Sequence, residues 1–266
     1  MDYIFKKVKI LDRESKFHNR VCDVWIKDGI IEDIKSDIPN NRKAKVYEHP
    51  GSFLSRGWID VGALCGEPGY EHRETLENAA KAAKSGGYTG VCVFPNTKPC
   101  LHSKSEITYI SEKSKKLPVH IYPIGAVSKS CMNEEMAEML QMHEAGAIAF
   151  SDGKNPVQSS SLMMRALDYI NLIPGSVLIN QSLDKGIAAT GQVHEGVSST
   201  IMGLKGIPAL AETTALYRDI GLLNYCGSKL LVHKVACPGA VSIMKESRKN
   251  TSNLFASVSL FNLIFE

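Results

Sequence analysis

The chain has 266 residues, 44% of them apolar and 22% charged, with a formal net charge of +3. That is ordinary globular composition, long enough for one domain of barrel size with a small appendage. No run of about 18 consecutive apolar residues appears, so no membrane span is expected, and the N-terminus lacks the apolar core of a signal peptide. Without a dense basic run the chain also gives no footing to nucleic-acid binding. Seven cysteines without a paired CxxC spacing read as reduced thiols of a cytoplasmic protein.

Residues 2–10 and 21–36 read as strands, with Asp28-Gly29 as a hairpin turn between apolar runs. Residues 40–45 read as a polar loop. From residue 52 onward short apolar strands alternate with helical patterns. The predicted strands are 53–61, 89–95, 119–126, 147–151, 176–181, 229–235 and 253–259. The predicted helices are 73–84, closed by Gly86-Gly87, then 103–115, 133–145, 160–170, 207–225 and 239–249. Repeated strand-then-helix order implies parallel strands with right-handed crossovers. The expected division is an N-terminal β-layer over 1–51 and a (β/α) barrel over 52–266. Seven strand candidates fall one short of the eight a closed barrel needs, so the barrel is expected to be truncated after strand seven. Two open strand edges would then lower stability or call for a partner to cover the gap.

The stretch from Asp60 through Glu67-Pro68-Gly69-Tyr70-Glu71-His72 leads into Gly86-Gly87-Tyr88-Thr89-Gly90-Val91 and Phe94-Pro95-Asn96-Thr97-Lys98-Pro99. It resembles the first two barrel units of dihydroorotases, members of the amidohydrolase superfamily. Two further segments extend the resemblance: Phe150-Ser151-Asp152-Gly153, and the run from Gly206-Ile207-Pro208 to Glu212. The resemblance implies an α/β fold of the TIM type, (β/α)8, behind a small β-layer. It implies a metal-bound hydroxide that opens or closes a cyclic amide, which requires histidines and carboxylates converging at strand ends.

Those ligand positions are where the chain departs from the family. Gly62, Leu64 and Gly66 stand where the family has His-x-His-x-Arg, Gln181 stands where it has a histidine after strand five, and Lys234 where it has one after strand six. None of these five is a customary metal ligand. Strand alternation sends His233 to the face opposite Lys234, and His194 reads as a loop histidine. The resemblance leaves Asn96 as a contact for a substrate carboxylate, and Asp60 and Asp152 as the remaining carboxylates that could hold a metal. Each has a plainer reading: Asn96 as a turn residue bonding its own backbone, and Asp60 as a strand-end carboxylate satisfying loop amides.

The framework is kept while the ligands are emptied, so the leading expectation is a catalytically silent dihydroorotase homologue, a pseudoenzyme of pyrimidine biosynthesis. No cofactor is expected, and its work would be as an oligomeric structural partner of aspartate transcarbamoylase. The alternative is an active cyclic amidohydrolase converting N-carbamoyl-aspartate to dihydroorotate. It would hold zinc or another divalent metal with unorthodox ligands such as Asp60, Asp152, Gln181 and Asp184; an oxygen-rich set suits magnesium or manganese. A third reading is a binding protein that holds dihydroorotate through Asn96 without turnover. Hydantoinases and allantoinases share the missing histidines.

Overall fold

The computed structural model describes residues 2–40 and 43–265. Contacts divide the chain into two units, Met1–Trp58 and Ile59–Glu266.

The first unit is a sheet of β1 (Tyr3–Leu11), β2 (Val21–Lys27), β3 (Ile30–Lys35), β4 (Lys45–Glu48) and β5 (Phe53–Ser55). The order is β3-β2-β1-β4, with β5 also pairing β1. The Asp28-Gly29 turn is the hairpin the sequence predicts: both residues have positive φ, 48° and 82°, as a two-residue primed turn demands. Alternation along β1 buries Ile4, Lys6, Val8 and Ile10. Lys6 is tolerated there because its ammonium meets Asp23 at 2.6 Å, Asp37 at 3.0 Å and the Ile38 carbonyl at 2.6 Å. The predicted loop over 40–45 lies partly outside the described residues.

The second unit runs β6 (Trp58–Ala63), α1 (Leu76–Ser85), β7 (Tyr88–Val93), α2 (Lys104–Ser114), β8 (His120–Gly125), α3 (Met139–Glu144), β9 (Ala149–Phe150), α4 (Ser160–Asn171) and β10 (Leu178–Asn180). An excursion follows with α5 (Lys185–Ala188), β11 (Val193–His194), α6 (Val197–Ile201) and β12 (Gly206–Ile207). The chain then continues through α7 (Leu210–Cys226), β13 (Leu230–Val232), α8 (Pro238–Ser247), β14 (Leu254–Ala256) and α9 (Phe261–Ile264). Among the described residues seven strands form one sheet in the order β14-β13-β10-β9-β8-β7-β6. From β7 to β14 its neighbouring strands run parallel. β11 and β12 pair separately. This is the strand arrangement of a TIM-type barrel, with helices between successive strands.

The inner strands divide their side chains between two apolar clusters. Val91 and Val93 of β7 join the helices, together with Leu230 and Val232 of β13. Cys92, Ile124, Ala149 and Ile179 face the other way, and Phe94, just past β7, joins them, with Val61, Tyr122 and Leu231 packed against the group. A parallel strand buried on both faces reads as a continuous apolar run, which is why the strands were legible as such. Helix ends follow local rules. Thr75 Oγ1 accepts from Asn78 N at 3.1 Å to start α1. Ser103 N donates to Glu106 Oε2 at 2.9 Å at the start of α2, and α7 stops at left-handed Gly227.

Three predicted elements change. The strand over 53–61 is two strands: β5 pairs β1 and β6 starts the barrel sheet. The helix over 133–145 begins only at Met139. Left-handed Ser130, Cys131 and Asn133 fold the preceding segment into a turn, in which Asn133 N donates to Ser128 Oγ at 2.8 Å. The helix over 207–225 starts at Leu210, because Ile207 is held by β11.

Candidate functional site

The residues at the carboxyl ends of the strands fall into three groups. The first surrounds Gly62 at the end of β6. Gly62 has φ +102°, and a Cβ built there would stand 2.5 Å from Phe94 Cε2 and 3.0 Å from His233 Cε1. The Phe94 and His233 rings meet edge to face, with centroids 5.2 Å apart at 77°. The space beside Gly62 is thus filled by two rings, and no side chain fits at position 62 without displacing them. His233 follows Leu231 inward, against Phe94, which corrects the expectation that alternation keeps it apart from Lys234: left-handed Lys234 breaks the strand pattern and both residues line one cavity. His233 Nδ1 bonds Ser257 Oγ at 2.8 Å, and its buried Nε2 has no hydrogen-bond partner among the described residues. Burial, helped by the Lys234 ammonium, pulls its pKa down to about 4.

Leu64 and Gly66 do not join this group. Leu64 is exposed. Gly66 is packed in the loop before α1, where its carbonyl accepts from Tyr70 N at 2.7 Å and a Cβ would strike the Tyr70 carbonyl. Glu67 explains why the Glu-Pro-Gly stretch is kept. Its buried carboxylate takes Leu76 N at 2.9 Å, the first amide of α1, the Tyr109 hydroxyl and the Lys113 ammonium. Burial alone would raise this carboxyl, but these donors together hold it below the usual glutamate range. Asp60 keeps an exposed surface, yet the protein around it pushes its carboxyl upward. It lies near enough to Cys92 to add to the burial that raises that thiol to about 11.

The second group joins Asn96 to Asp152. Asn96 Nδ2 donates to the Asp152 carbonyl at 3.0 Å and its Oδ1 accepts from Lys154 N at 2.9 Å. It therefore ties the loop after β7 to the loop after β9 and does not bond its own turn. Gly153, left-handed at φ +58°, leaves no room for a Cβ against that Asn96 oxygen. Asp152 is buried and accepts from Val127 N and Ser128 N, both at 2.9 Å, and from Ser128 Oγ at 2.5 Å. Burial still leaves its carboxyl raised. Both of its oxygens are engaged in holding the loop after β8.

The third group is a cavity of about 160 Å³ whose lining includes Gln181, His194, Glu212, His233 and Lys234. Gln181 and Lys234, separate in sequence, do meet here. Lys234 takes φ 60°, a departure from strand geometry just past the end of β13. His194 sits on β11 at the cavity wall rather than in a loop. Glu212 is not free for chemistry, since its two oxygens accept from Ala236 N at 2.9 Å and Cys237 N at 3.0 Å. Asp184 caps α5 through Ile187 N at 2.9 Å.

Sequence reading missed Asp219. It is fully buried on α7, where its carboxylate takes Asn180 Nδ2 and Ser182 Oγ, each at 2.8 Å, and the Arg218 guanidinium at 2.7 Å. These bonds fix the two residues flanking Gln181. A signal was present: Asp219 interrupts the apolar stripe Ala211, Ala215, Leu216, Ile220 and Leu223, and a charge on a core-facing stripe needs a buried partner.

The chemistry of these side chains does not suit a bound divalent metal. Among the described residues no three His, Cys, Asp or Glu side chains converge as a metal site. The position beside Gly62 is occupied by rings, and the glutamine and lysine of the cavity offer poor ligands.

Residues 51–238 match the family model described as dihydro-orotase-like. The dihydroorotase of Pelotomaculum thermopropionicum is 40% identical over 237 residues, covering 89% of this chain and 55% of that protein. The dihydroorotase of Solibacter usitatus is 34% identical over 251 residues, covering 94% and 58%. The chain thus spans a little over half the length of these relatives. Among solved structures, the L-hydantoinase (dihydropyrimidinase) of Arthrobacter aurescens superposes with a TM-score of 0.78 at 20% identity, over 97% of this chain and 58% of that one. The dihydropyrimidinase of Brevibacillus agri gives 0.74 at 18%, over 100% and 59%. At such identities these two speak for the fold alone. From the matched family model and the curated relatives, the chain belongs to the dihydroorotase family of the amidohydrolase superfamily.

Proposed function

We propose that this chain is a dihydroorotase-like protein of pyrimidine biosynthesis that does not itself turn over the cyclic amide, and that it acts as a structural partner of aspartate transcarbamoylase. The observation that carries the reading is the filled position beside Gly62. Amide hydrolysis by this family's route needs a metal-activated hydroxide, and Phe94 and His233 occupy the space that a ligand on β6 would need. The supporting observation is that the remaining carboxylates are engaged: Asp152 by three donors, Glu67 by three and Glu212 by two. Of the two carboxylates the resemblance leaves for a metal, Asp60 keeps an exposed surface while Asp152 is engaged, and one carboxylate is a weak metal site. The Lys234 ammonium supplies a fixed positive charge at the cavity where the family places a metal ligand.

The test has two parts. Protein purified without chelator is assayed for divalent metal by elemental analysis and for interconversion of N-carbamoyl-aspartate and dihydroorotate. The expected result is less than a tenth of an equivalent of metal and no turnover, with zinc and manganese added back. One or two bound ions with turnover would establish the active reading and send the search for ligands to Asp60. The partner is tested by sedimentation with purified aspartate transcarbamoylase from the same source. Co-sedimentation is expected, and separate boundaries at micromolar concentrations would remove the partner role.

A further inference from the structure

The loop after β7 and the turn after β8 bring two thiols together that none of the roles above uses. Cys100 and Cys131 have their sulfurs 3.1 Å apart, in hydrogen-bond contact. Cys100 is partly exposed and Cys131 is buried. Cys131 sits in the left-handed turn with Ser130, at φ 56° and 55°. That turn is fixed on both sides: Asn155 Nδ2 donates to the Cys131 carbonyl at 3.0 Å, and Ser128, three residues earlier, is anchored to Asp152. The loop bearing Cys100 is fixed by Ala126 N donating to the Leu101 carbonyl at 2.8 Å. The two sulfurs are therefore held in register by framework bonds that do not depend on the thiols.

We propose that Cys100 and Cys131 are a modification site, a dithiol that closes to an intramolecular disulfide by exchange with a small-molecule disulfide. Access sets the order of events. The Cys100 thiolate attacks one sulfur of the small disulfide, whose S–S bond breaks and releases one small thiolate. Cys131 then gives up its proton and attacks Cys100 Sγ in the mixed disulfide, expelling the second small thiolate. The two protein thiols are oxidised, the small disulfide is reduced to two thiols, and the two protons lost by the protein are those the products carry. The buried Asp152 carboxylate lies close to the Cys131 thiol. Its proximity adds to the hydrogen bond with Cys100 and to burial in pushing that thiol upward, so the first attack falls to Cys100. The bond would tie the loop bearing Cys100 to the turn that Asn155 and Asp152 brace, and it does not depend on whether the chain turns over an amide.

The experiment is a peptide map after the folded chain is incubated with glutathione disulfide and then quenched in denaturant with a thiol-alkylating reagent, which reaches the buried thiols as well. The expected product joins the Cys100 and Cys131 peptides, with the other five cysteines alkylated. The cross-link closes a loop of about thirty residues, so the thermal midpoint should rise by roughly 5 °C or more. Cys131→Ser should stop at the mixed disulfide on Cys100, and Cys100→Ser should prevent both the cross-link and the shift. A native chain that carries only a mixed disulfide on Cys100, or that cross-links other cysteines, overturns the proposal. The map of the unaltered chain decides the matter even where a variant fails to fold.

Discussion

Phe94 Cε2 lies 2.5 Å from where a Cβ on Gly62 would stand. The two positions belong to neighbouring strands, and the larger side chain has taken the volume of the smaller. The backbone agrees with this, since φ +102° at Gly62 is a conformation that side-chain-bearing residues rarely adopt. Gly62→Ala should therefore cost about 2 to 4 kcal/mol, from overpacking and backbone strain together. Phe94→Leu should recover part of that cost in the double variant, because the clash is with the far end of the ring. Urea unfolding of the four proteins forms the cycle. Additive costs would show that the ring yields freely and that the position is not closed.

Glu67 is expected to act on stability and not on a ligand. Glu67→Gln removes the charge that Lys113 and the amide at the start of α1 both face, leaving a partly buried ammonium and a weakened helix start. The expected loss is about 2 to 3 kcal/mol, lower than for a fully buried pair because Lys113 is partly exposed. The folded carboxyl lies below its unfolded value. Its contribution is thus present above the unfolded pKa and is lost as pH falls through the folded one. Denaturant midpoints of the variant and the parent should begin to converge only as the pH falls below the unfolded glutamate value of about 4.3, and meet below the lowered folded value. A constant gap down to acid pH would assign the loss to packing instead.

Much of this was readable in the residues because it rests on local rules. Asp28-Gly29 could only turn a hairpin, and Val91 to Phe94 could only be a buried parallel strand. The emptied ligand positions Gly62, Gln181 and Lys234 were visible because each replaces a known residue type in a recognisable frame. What fills them was not visible. Phe94 reads as one more apolar residue of the predicted strand over 89–95, and only the close approach of β6 makes its ring the occupant of the Gly62 space. Asn96 bonds across to residues 152 and 154, a pairing set by the order of the strands and not by its own neighbours. The strand over 53–61 looked continuous because apolar spacing does not record which sheet a segment joins.

Asn96 separates two roles that its sequence context allows. Its side chain bridges Asp152 and Lys154, so Asn96→Ala should lower stability by about 1 to 3 kcal/mol. Dihydroorotate binding, followed by calorimetry at millimolar ligand, should be absent from both proteins if the bridge is its whole work. Saturable binding by the parent that disappears in Asn96→Ala at unchanged stability would assign it to a ligand.

His233 should give the second unit its clearest acid sensitivity. Its imidazole is held neutral in the fold, with a pKa of about 4, against about 6.5 in an unfolded chain. Between these values the unfolded state binds the extra proton and the folded state does not, so stability rises with pH through that window. It is complete above about pH 6.5 and falls as the pH drops toward 4. At pH 4.5 the loss relative to pH 7 should approach about 2 kcal/mol, since each tenfold difference in proton affinity between the two states corresponds to about 1.4 kcal/mol. His233→Gln keeps a polar group within reach of Ser257 but does not titrate, so its stability should change less across the same window. Asp152 and Asp219, both raised by burial, act in the opposite sense near pH 4, and the comparison with the variant cancels them. Equal slopes in the two proteins would mean that the imidazole takes its proton in the fold, with the ring then free to leave Phe94.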